Sequence, residues 1–160
     1  MTTGFRQVAL VALLTLQGCV DSTVPTAGQA EFAFEATRAL LIEEDFDRWD
    51  HFFTADAELN GSDLAFTIMR GTAQNLHHSF PDVQVRLMEQ VSSADKVVTR
   101  FVLEGTHAGS FGSLKPTNKR VTFDGISVDN FRDGRIARRF MLLDLYGLGQ
   151  RLAAQPPSGS

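Results

Sequence analysis

Cysteine is almost absent from this chain, and other scarcities narrow its class further. Cys19 is the only cysteine among 160 residues, so an internal disulfide is excluded. Basic residues number 15 against 19 acidic ones and form no long cluster, so we expect no nucleic-acid partner. The longest apolar run, over residues 8–16, is too short to span a bilayer as a helix. The chain is therefore not a disulfide scaffold, a nucleic-acid binder or an integral membrane protein of the helical type.

The residues that are present predict one folded domain. Hydrophobic residues make up 43% of the chain and charged residues 21%, which is ordinary for a globular protein. A chain of this length can bury a single hydrophobic core. The sequence ends in Gln-Pro-Pro-Ser-Gly-Ser, and we predict a disordered tail over residues 153–160.

The first 19 residues have the composition of a targeting signal. Arg6 precedes the apolar run of residues 8–16, which leads into Leu-Gln-Gly-Cys at Cys19. This order resembles the bacterial lipoprotein signal, in which the chain is cut before the cysteine and a diacylglyceride is attached to it. The resemblance implies a signal peptide over residues 1–18, a lipid on Cys19, a tether over 19–29 and a lipid-anchored location on the periplasmic side of the cell envelope. The alternative is a buried N-terminal helix in a cytoplasmic protein.

The first half of the remaining chain has helical periodicity. Apolar spacing predicts a long amphipathic helix over residues 29–44 and a short helix over 46–53, with Asp45 as its N-cap. An extended piece over 57–60 follows. A third helix is predicted over 62–79, and it ends before a Phe-Pro-Asp turn because the residue before proline avoids helical geometry.

In the second half the apolar period changes to two. Alternation predicts strands, and an Asp-Gly pair predicts a tight hairpin between the last two. The predicted strands cover residues 83–91, 97–104, 120–131 and 136–144, with a helical turn over 147–152. Helices followed by a strand meander indicate an α+β fold, in which helices pack on one face of an antiparallel sheet and leave a pocket between the layers.

The segment GTHAGSFGSLKPTNKRV, residues 105–121, resembles the SnoaL-like polyketide cyclase family of the nuclear transport factor 2-like superfamily. Family members carry Gly-Thr-His-x-Gly-x-Phe, a loop that ends in Pro-Thr and a strand that begins Arg-Val, and all three are present. The match continues through the Asp-Gly turn and Asp-Leu-Tyr-Gly-Leu at 144–148, and covers roughly residues 30–152. It implies a cone, with three N-terminal helices packed on a strongly curved, mainly antiparallel sheet around an elongated apolar cavity.

The resemblance also implies an activity and a catalytic residue. It implies a cofactor-independent cyclase- or isomerase-type enzyme that acts on a small apolar, polyketide-like carbonyl compound. Family cyclases use an aspartate at the end of the last strand as general acid and base, and by motif this residue is Asp144. An apolar wall raises the pKa of such a carboxylate, which can then take a proton from an acidic carbon and return one to the new alkoxide. The structural alternative for Asp144 is pairing with an arginine or capping the turn at Gly147. No recognisable metal-ligand pattern is present.

Five further residues are predicted to line the substrate site. Strand alternation places Arg138 and Phe140 on the face of the catalytic aspartate, where family members often carry Glu and Trp. Asn60 and Asn130 stand where the family often has an Asp-His pair and a strand histidine, and neither amide titrates. His107 belongs to the family motif, although its position at a strand end favours a structural role.

Two further hypotheses concern other classes of protein. The first is that the chain is a non-catalytic lipoprotein that holds an apolar ligand. The lipoprotein-type signal and the missing family residues favour this hypothesis. Alternatively, the open face of the sheet pairs two copies of the chain in a homodimer, with Arg86, Met88 and Arg100 at the interface. In either case the expected partner in the pocket is a small apolar molecule, and the only membrane contact is through a lipid on Cys19.

Overall fold

The computed structural model describes residues 27–154, which form four helices and one five-stranded sheet. The elements are α1 (Ala27–Leu41), a 3-10 turn (Phe46–Arg48), α2 (Trp49–Phe52), β1 (Phe53–Leu59), α3 (Ala65–Ser79), β2 (Gln84–Ser93), β3 (Lys96–Thr106), β4 (Arg120–Arg132), β5 (Arg135–Leu143) and α4 (Leu145–Ala153). Several predictions fall outside the described residues: the signal peptide, the lipid on Cys19, all but the last three residues of the tether, and the end of the tail.

Helix α1 has the amphipathic pattern that predicted it. Ala33, Ala36 and Leu40 recur at helical spacing and are completely buried, whereas Glu31 and Arg38 on the other side are exposed. The helix begins and ends two to three residues earlier than predicted. None of the helices within residues 27–154 has the length and hydropathy that crossing a bilayer requires.

The predicted short helix over residues 46–53 is helical up to residue 52 and departs from the prediction only at Phe53. The segment is a 3-10 turn followed by one turn of α2, and Phe53 already belongs to strand β1. Phe53 pairs with Ile136 of β5, and its ring stacks on Trp49 at a centroid distance of 4.1 Å. Sheet pairing and this stacking therefore override the helical pattern. Asp45 precedes the turn, but its side chain makes no capping hydrogen bond.

The five strands form one sheet in the order β1-β5-β4-β3-β2. Strand β1 runs parallel to β5, and the other neighbours are antiparallel. The predicted α+β class and mainly antiparallel sheet are confirmed, and each strand of the meander lies within about three residues of its predicted bounds. The hairpin between β4 and β5 turns at Asp133 and Gly134, both with positive φ angles of 51° and 76°.

The two faces of the sheet differ in burial. On β4, residues 121, 123, 125, 127 and 129 are buried under the helices, while the residues between them are partly or fully exposed. The opposite face exposes Met88, Phe140 and Leu142 at 40%, 52% and 58%. The sheet therefore has a covered inner face that belongs to the core and an open outer face.

Candidate functional site

An apolar pocket of about 460 Å³ opens where α3, the β3–β4 loop and the end of β5 meet. Apolar side chains form much of its wall, and polar groups from α3 and the loop stand among them. The lining residues are Thr72, Asn75, Leu76, His78, Ser79, Phe80, Ser110, Phe111, Gly112, Leu143 and Leu145. An apolar wall with a few convergent polar groups is the usual composition of a small-molecule site.

The loop that borders this pocket is the one that carries the family motif. Both Ala108 N and Gly109 N donate to Ser79 O at 3.1 Å, so the loop lies directly on the end of α3. A Cβ at Gly109 would overlap the carbonyl oxygen of His78, which explains the glycine in the motif. Ser79 Oγ also donates to Ser110 O at 2.8 Å. The motif therefore builds one wall of the pocket through backbone contacts.

The rest of the motif ties the same loop to the strands. Asp82 accepts hydrogen bonds from Thr106 N at 2.6 Å and from Thr106 Oγ1 at 2.8 Å, and Arg120 lies 3.2 Å away. The hydrogen bond from the Thr106 N–H is the main cause that lowers the pKa of the Asp82 carboxyl, with Arg120 adding to it. The Phe-Pro-Asp turn is thus hydrogen-bonded to the Gly-Thr-His segment, and together they position Phe80 in the pocket.

His107 is buried completely, and its ring serves the loop rather than the pocket. Nδ1 accepts from Thr117 N at 3.3 Å and lies 3.1 Å from Thr117 Oγ1. The neutral ring therefore carries its proton on Nε2, which has no partner within residues 27–154. Burial lowers the pKa of this imidazole. The predicted structural role agrees with these contacts, although the ring bonds a backbone N–H and a hydroxyl instead of a carbonyl.

Asp144 follows β5 directly and stands between two residues of the pocket wall, Leu143 and Leu145. Its Oδ1 accepts from Gly147 N at 2.8 Å, which caps α4, and its Oδ2 lies 3.5 Å from Arg151 Nη2. A Cβ at residue 147 would overlap this carboxylate, so the motif glycine makes room for the cap. The side chain is 40% exposed. It therefore caps the N-terminus of α4 beside the pocket wall, and together with Asp124 and Leu142 it lines a shallow groove on the outer surface.

The prediction that Arg138 and Phe140 face the interior is wrong. Both are exposed on the outer face, and the buried positions of β5 are Ile136, Arg139 and Met141. A bulge causes the change, because Phe131 pairs with Ile136 whereas Asn130 pairs with Arg138. One extra residue in a strand moves every later side chain to the other face. Because the bulge precedes Arg138, the later residues keep one face, and Asp144 follows them onto the outer side, where its N–H donates to Asp124 O at 2.9 Å. The arginine partner of Asp144 is nevertheless Arg151 and not Arg138.

The two predicted amides also lie away from the pocket. Asn60 has a φ angle of 52°, and its side chain bonds both backbone groups of Met141, donating to the carbonyl at 3.1 Å and accepting from the N–H at 2.8 Å. Its side chain therefore continues the pairing of β1 with β5. Four of the five predicted lining residues, Asn60, Asn130, Arg138 and Phe140, do meet, but in a surface depression of about 410 Å³ that also includes Glu58, Gly61, Lys96 and Arg139. This outer depression includes neither Asp144 nor His107.

The inner face instead carries an ion pair that sequence reasoning missed. Arg139 Nε and Nη2 donate to the two oxygens of Asp129 at 2.6 and 3.0 Å, and both side chains are completely buried. Ser127 Oγ lies 3.3 Å from the same carboxylate, and Arg139 Nη2 also donates to Ala33 O of α1 at 3.1 Å. Burial raises the pKa of the Asp129 carboxyl, and the guanidinium opposes that shift. Alternation along β4 predicts that Asp129 faces the interior. The burial of Arg139 could not be predicted in the same way, because the bulge in β5 has no mark in the sequence.

Within residues 27–154, no group of three or more His, Asp or Glu side chains is arranged to hold a metal ion.

Solved structures with the same architecture establish the fold. TsrD from Streptomyces laurentii is 22% identical, with a TM-score of 0.68 over 81% of this chain and 98% of that chain. A SnoaL-like polyketide cyclase from Agrobacterium tumefaciens is 21% identical, with a TM-score of 0.65 over 78% and 98%. IdmH from Streptomyces antibioticus is 22% identical, with a TM-score of 0.67 over 79% and 99%. At these identities the likeness defines the class of fold, the nuclear transport factor 2-like fold, and nothing finer.

A family model identifies the family within this class of fold. The model described as SnoaL-like polyketide cyclase matches residues 31–152, which is most of the chain. The chain belongs to the SnoaL-like polyketide cyclase family. No match was found among curated proteins.

Proposed function

We propose that this SnoaL-like protein binds a small apolar carbonyl compound in the pocket between α3 and the end of β5 and transfers a proton on it without a cofactor. The observation that supports the proposal is the apolar pocket of about 460 Å³ whose wall residues Leu143 and Leu145 flank Asp144. Family membership makes a polyketide-like ester the substrate class to test first. The reaction class is a cyclisation or an isomerisation that starts from a carbanion next to a carbonyl.

Asp144 is the proposed acid and base of this reaction. As a carboxylate it takes a proton from the acidic carbon of the bound compound, and as a carboxylic acid it returns one to the new alkoxide. The substrate's own conjugated carbonyl carries the enolate charge between these steps. For this exchange Oδ2 must leave Arg151, whereas Oδ1 can keep the bond to Gly147 N, because one carboxylate oxygen is enough for the cap.

The experiment is proton exchange in deuterated water. A panel of small aromatic β-keto esters is incubated with the protein, and loss of the α-proton signal is followed by NMR. We expect Asp144→Asn to reduce the exchange rate by about 10²- to 10⁴-fold, the usual contribution of a positioned acid or base. Asparagine retains an oxygen for Gly147 N, so the fold should survive.

The matched control is Asp124→Asn. Asp124 is an exposed carboxylate on the neighbouring strand and is paired with Arg100 at 3.2 Å, and it lines the same shallow surface groove as Asp144. This control should exchange like the wild-type protein. Full exchange in Asp144→Asn would remove Asp144 from the mechanism.

A second candidate function is the binding of an apolar ligand without catalysis. The observation that favours it is that both oxygens of Asp144 are already engaged, one by a helix N-terminus and one by an arginine. A protein of this kind would bind the same β-keto esters with a saturable signal, and their α-protons would exchange no faster than in buffer.

Two more proposals concern the location of the chain and its assembly. We propose that Cys19 carries a lipid that anchors the chain to the envelope. Cells that express the wild-type chain are supplied with labelled fatty acid, and a chain that carries no label would refute this proposal. We also propose that the outer face, with Met88, Phe140 and Leu142 exposed, pairs two copies in a homodimer. Light scattering decides that point, because a monomeric mass at micromolar concentration would contradict it.

A further inference from the structure

The pocket has a polar end that the proposed proton transfer does not use. His78 Nε2 lies 3.1 Å from Ser110 Oγ, and both residues are exposed and line the pocket. His78 is the only titratable side chain among the eleven residues that line this pocket in the described chain. Phe80, Phe111 and Leu143 form apolar wall nearby. An apolar ligand in this pocket therefore meets one polar pair at one end.

The contact between His78 and Ser110 is not required to hold the loop in place. Three other hydrogen bonds already fix it, two from Ala108 N and Gly109 N to Ser79 O and one from Ser79 Oγ to Ser110 O. These bonds involve only backbone atoms and the Ser79 hydroxyl. The imidazole and the Ser110 hydroxyl are consequently available to a ligand, since the loop keeps its position without them.

We propose that His78 and Ser110 bind the oxygen-bearing end of the pocket's ligand, which is an apolar molecule with a terminal oxygen acceptor, held more tightly as a carboxylate than as a neutral group. The hydroxyl donates one hydrogen bond and the imidazole N–H donates the other, and a protonated imidazole adds charge attraction. This inference deepens the proposed function because it concerns the same pocket and identifies how the ligand is oriented in it.

The titratable groups next to the pair in the sequence or next to the pocket wall have partners of their own. On α3, His77 is the neighbour in sequence, and its Nε2 lies 3.1 Å from Leu41 O of α1. Beyond β5, Asp144 is engaged by Gly147 and by Arg151. The pH dependence of ligand binding should therefore come from His78, and it should have the sign of an anion that prefers the protonated ring.

The test measures binding of dodecanoate and of dodecanol by calorimetry at pH 6 and pH 8. A protonated imidazole attracts a carboxylate, so dodecanoate should bind about three- to tenfold more tightly at the lower pH, as expected for a partly exposed charged hydrogen bond. Dodecanol, which has the same chain and no charge, should bind equally at both. Because neither probe reacts, this measurement is independent of turnover, and a failure here leaves the proton-exchange result standing.

Two variants make the test specific. His78→Gln keeps a group that can bond Ser110 but cannot titrate, so it should abolish the pH dependence for dodecanoate and leave dodecanol unchanged. His77→Gln is the matched control and should bind like the wild-type protein. Ser110→Ala should weaken the binding of dodecanoate more than that of dodecanol, and this variant decides the matter if His78→Gln does not fold. The proposal is overturned if wild-type protein shows no preference for dodecanoate at pH 6, or if His78→Gln keeps it.

Discussion

At the scale of single residues, the buried Asp129–Arg139 pair is the most unusual feature of the core. Two charges are removed from water, and their attraction offsets that cost only because the guanidinium donates to both carboxylate oxygens. The Arg139 guanidinium also lies 5.3 Å from the centre of the Phe53 ring, and Nη1 has no partner among residues 27–154. The pair joins β4, β5 and α1, and it specifies which residues of β5 face inward.

Replacing one member of this pair should cost much more than replacing both. We expect Arg139→Met to lower the free energy of unfolding by about 3–5 kcal/mol, because Asp129 would remain buried without a charged partner. The double variant Asp129→Leu with Arg139→Met should recover most of that loss. Urea unfolding monitored by circular dichroism measures both, with Arg138→Met on the exposed side as a control that should change stability by less than about 0.5 kcal/mol. Equal losses in the single and double variants would contradict this interpretation.

Residue-level prediction from the sequence succeeded where motif and local chemistry coincide. Asp144 caps α4 at Gly147, which was the structural alternative to its catalytic role, and Asp133 stands in the turn that the Asp-Gly pair predicted. It failed for Arg138 and Phe140, since strict alternation cannot anticipate a bulge, and a bulge reverses the faces. It also failed for Asn60, because nothing local shows that an amide will bond a residue 81 positions away.

At the scale of elements, the end of α3 and the β3–β4 loop behave as one unit. The loop approaches α3 so closely that residue 109 has no room for a side chain, and residue 105 has its Cβ position 3.0 Å from Phe80 Cβ. The boundaries of α3 and of the strands were close to prediction because proline and periodicity mark them. The path of the loop was not predictable, since the resemblance identified its residues but not what they touch.

Adding a single methyl group at residue 109 should therefore push the β3–β4 loop away from the end of α3. Gly109→Ala forces Ala Cβ against the backbone carbonyl of His78, which cannot rotate away as a side chain could. We expect a lower melting temperature and a loss of dodecanol binding in the pocket. Gly71→Ala, on the same helix α3 with open space around it, should instead gain about 0.5–1 kcal/mol from helix propensity. A Gly109→Ala protein that melts and binds like the wild type would show that the close approach does not matter.

At the scale of the whole molecule, two of the depressions formed by residues 27–154 are candidate ligand sites. One is the pocket between α3 and the end of β5, whose wall residues Leu143 and Leu145 flank Asp144 in the sequence. The other is the outer depression, where four residues predicted from the sequence meet. The fold class and the strand order of the meander followed from the sequence because periodicity and family motif agree. The choice between the regions did not, because it depends on which face of β5 each residue occupies.

The central claim is that the pocket between α3 and the end of β5 is the ligand site of this protein. It is tested most directly by titrating the ¹⁵N-labelled protein with 2-acetylnaphthalene, an unreactive apolar ketone, and mapping the amide signals that shift. We expect saturable shifts at residues 75–80, 109–112 and 143–145, which surround the pocket. Shifts confined to the outer depression around Asn60, Asn130 and Arg138 would contradict it.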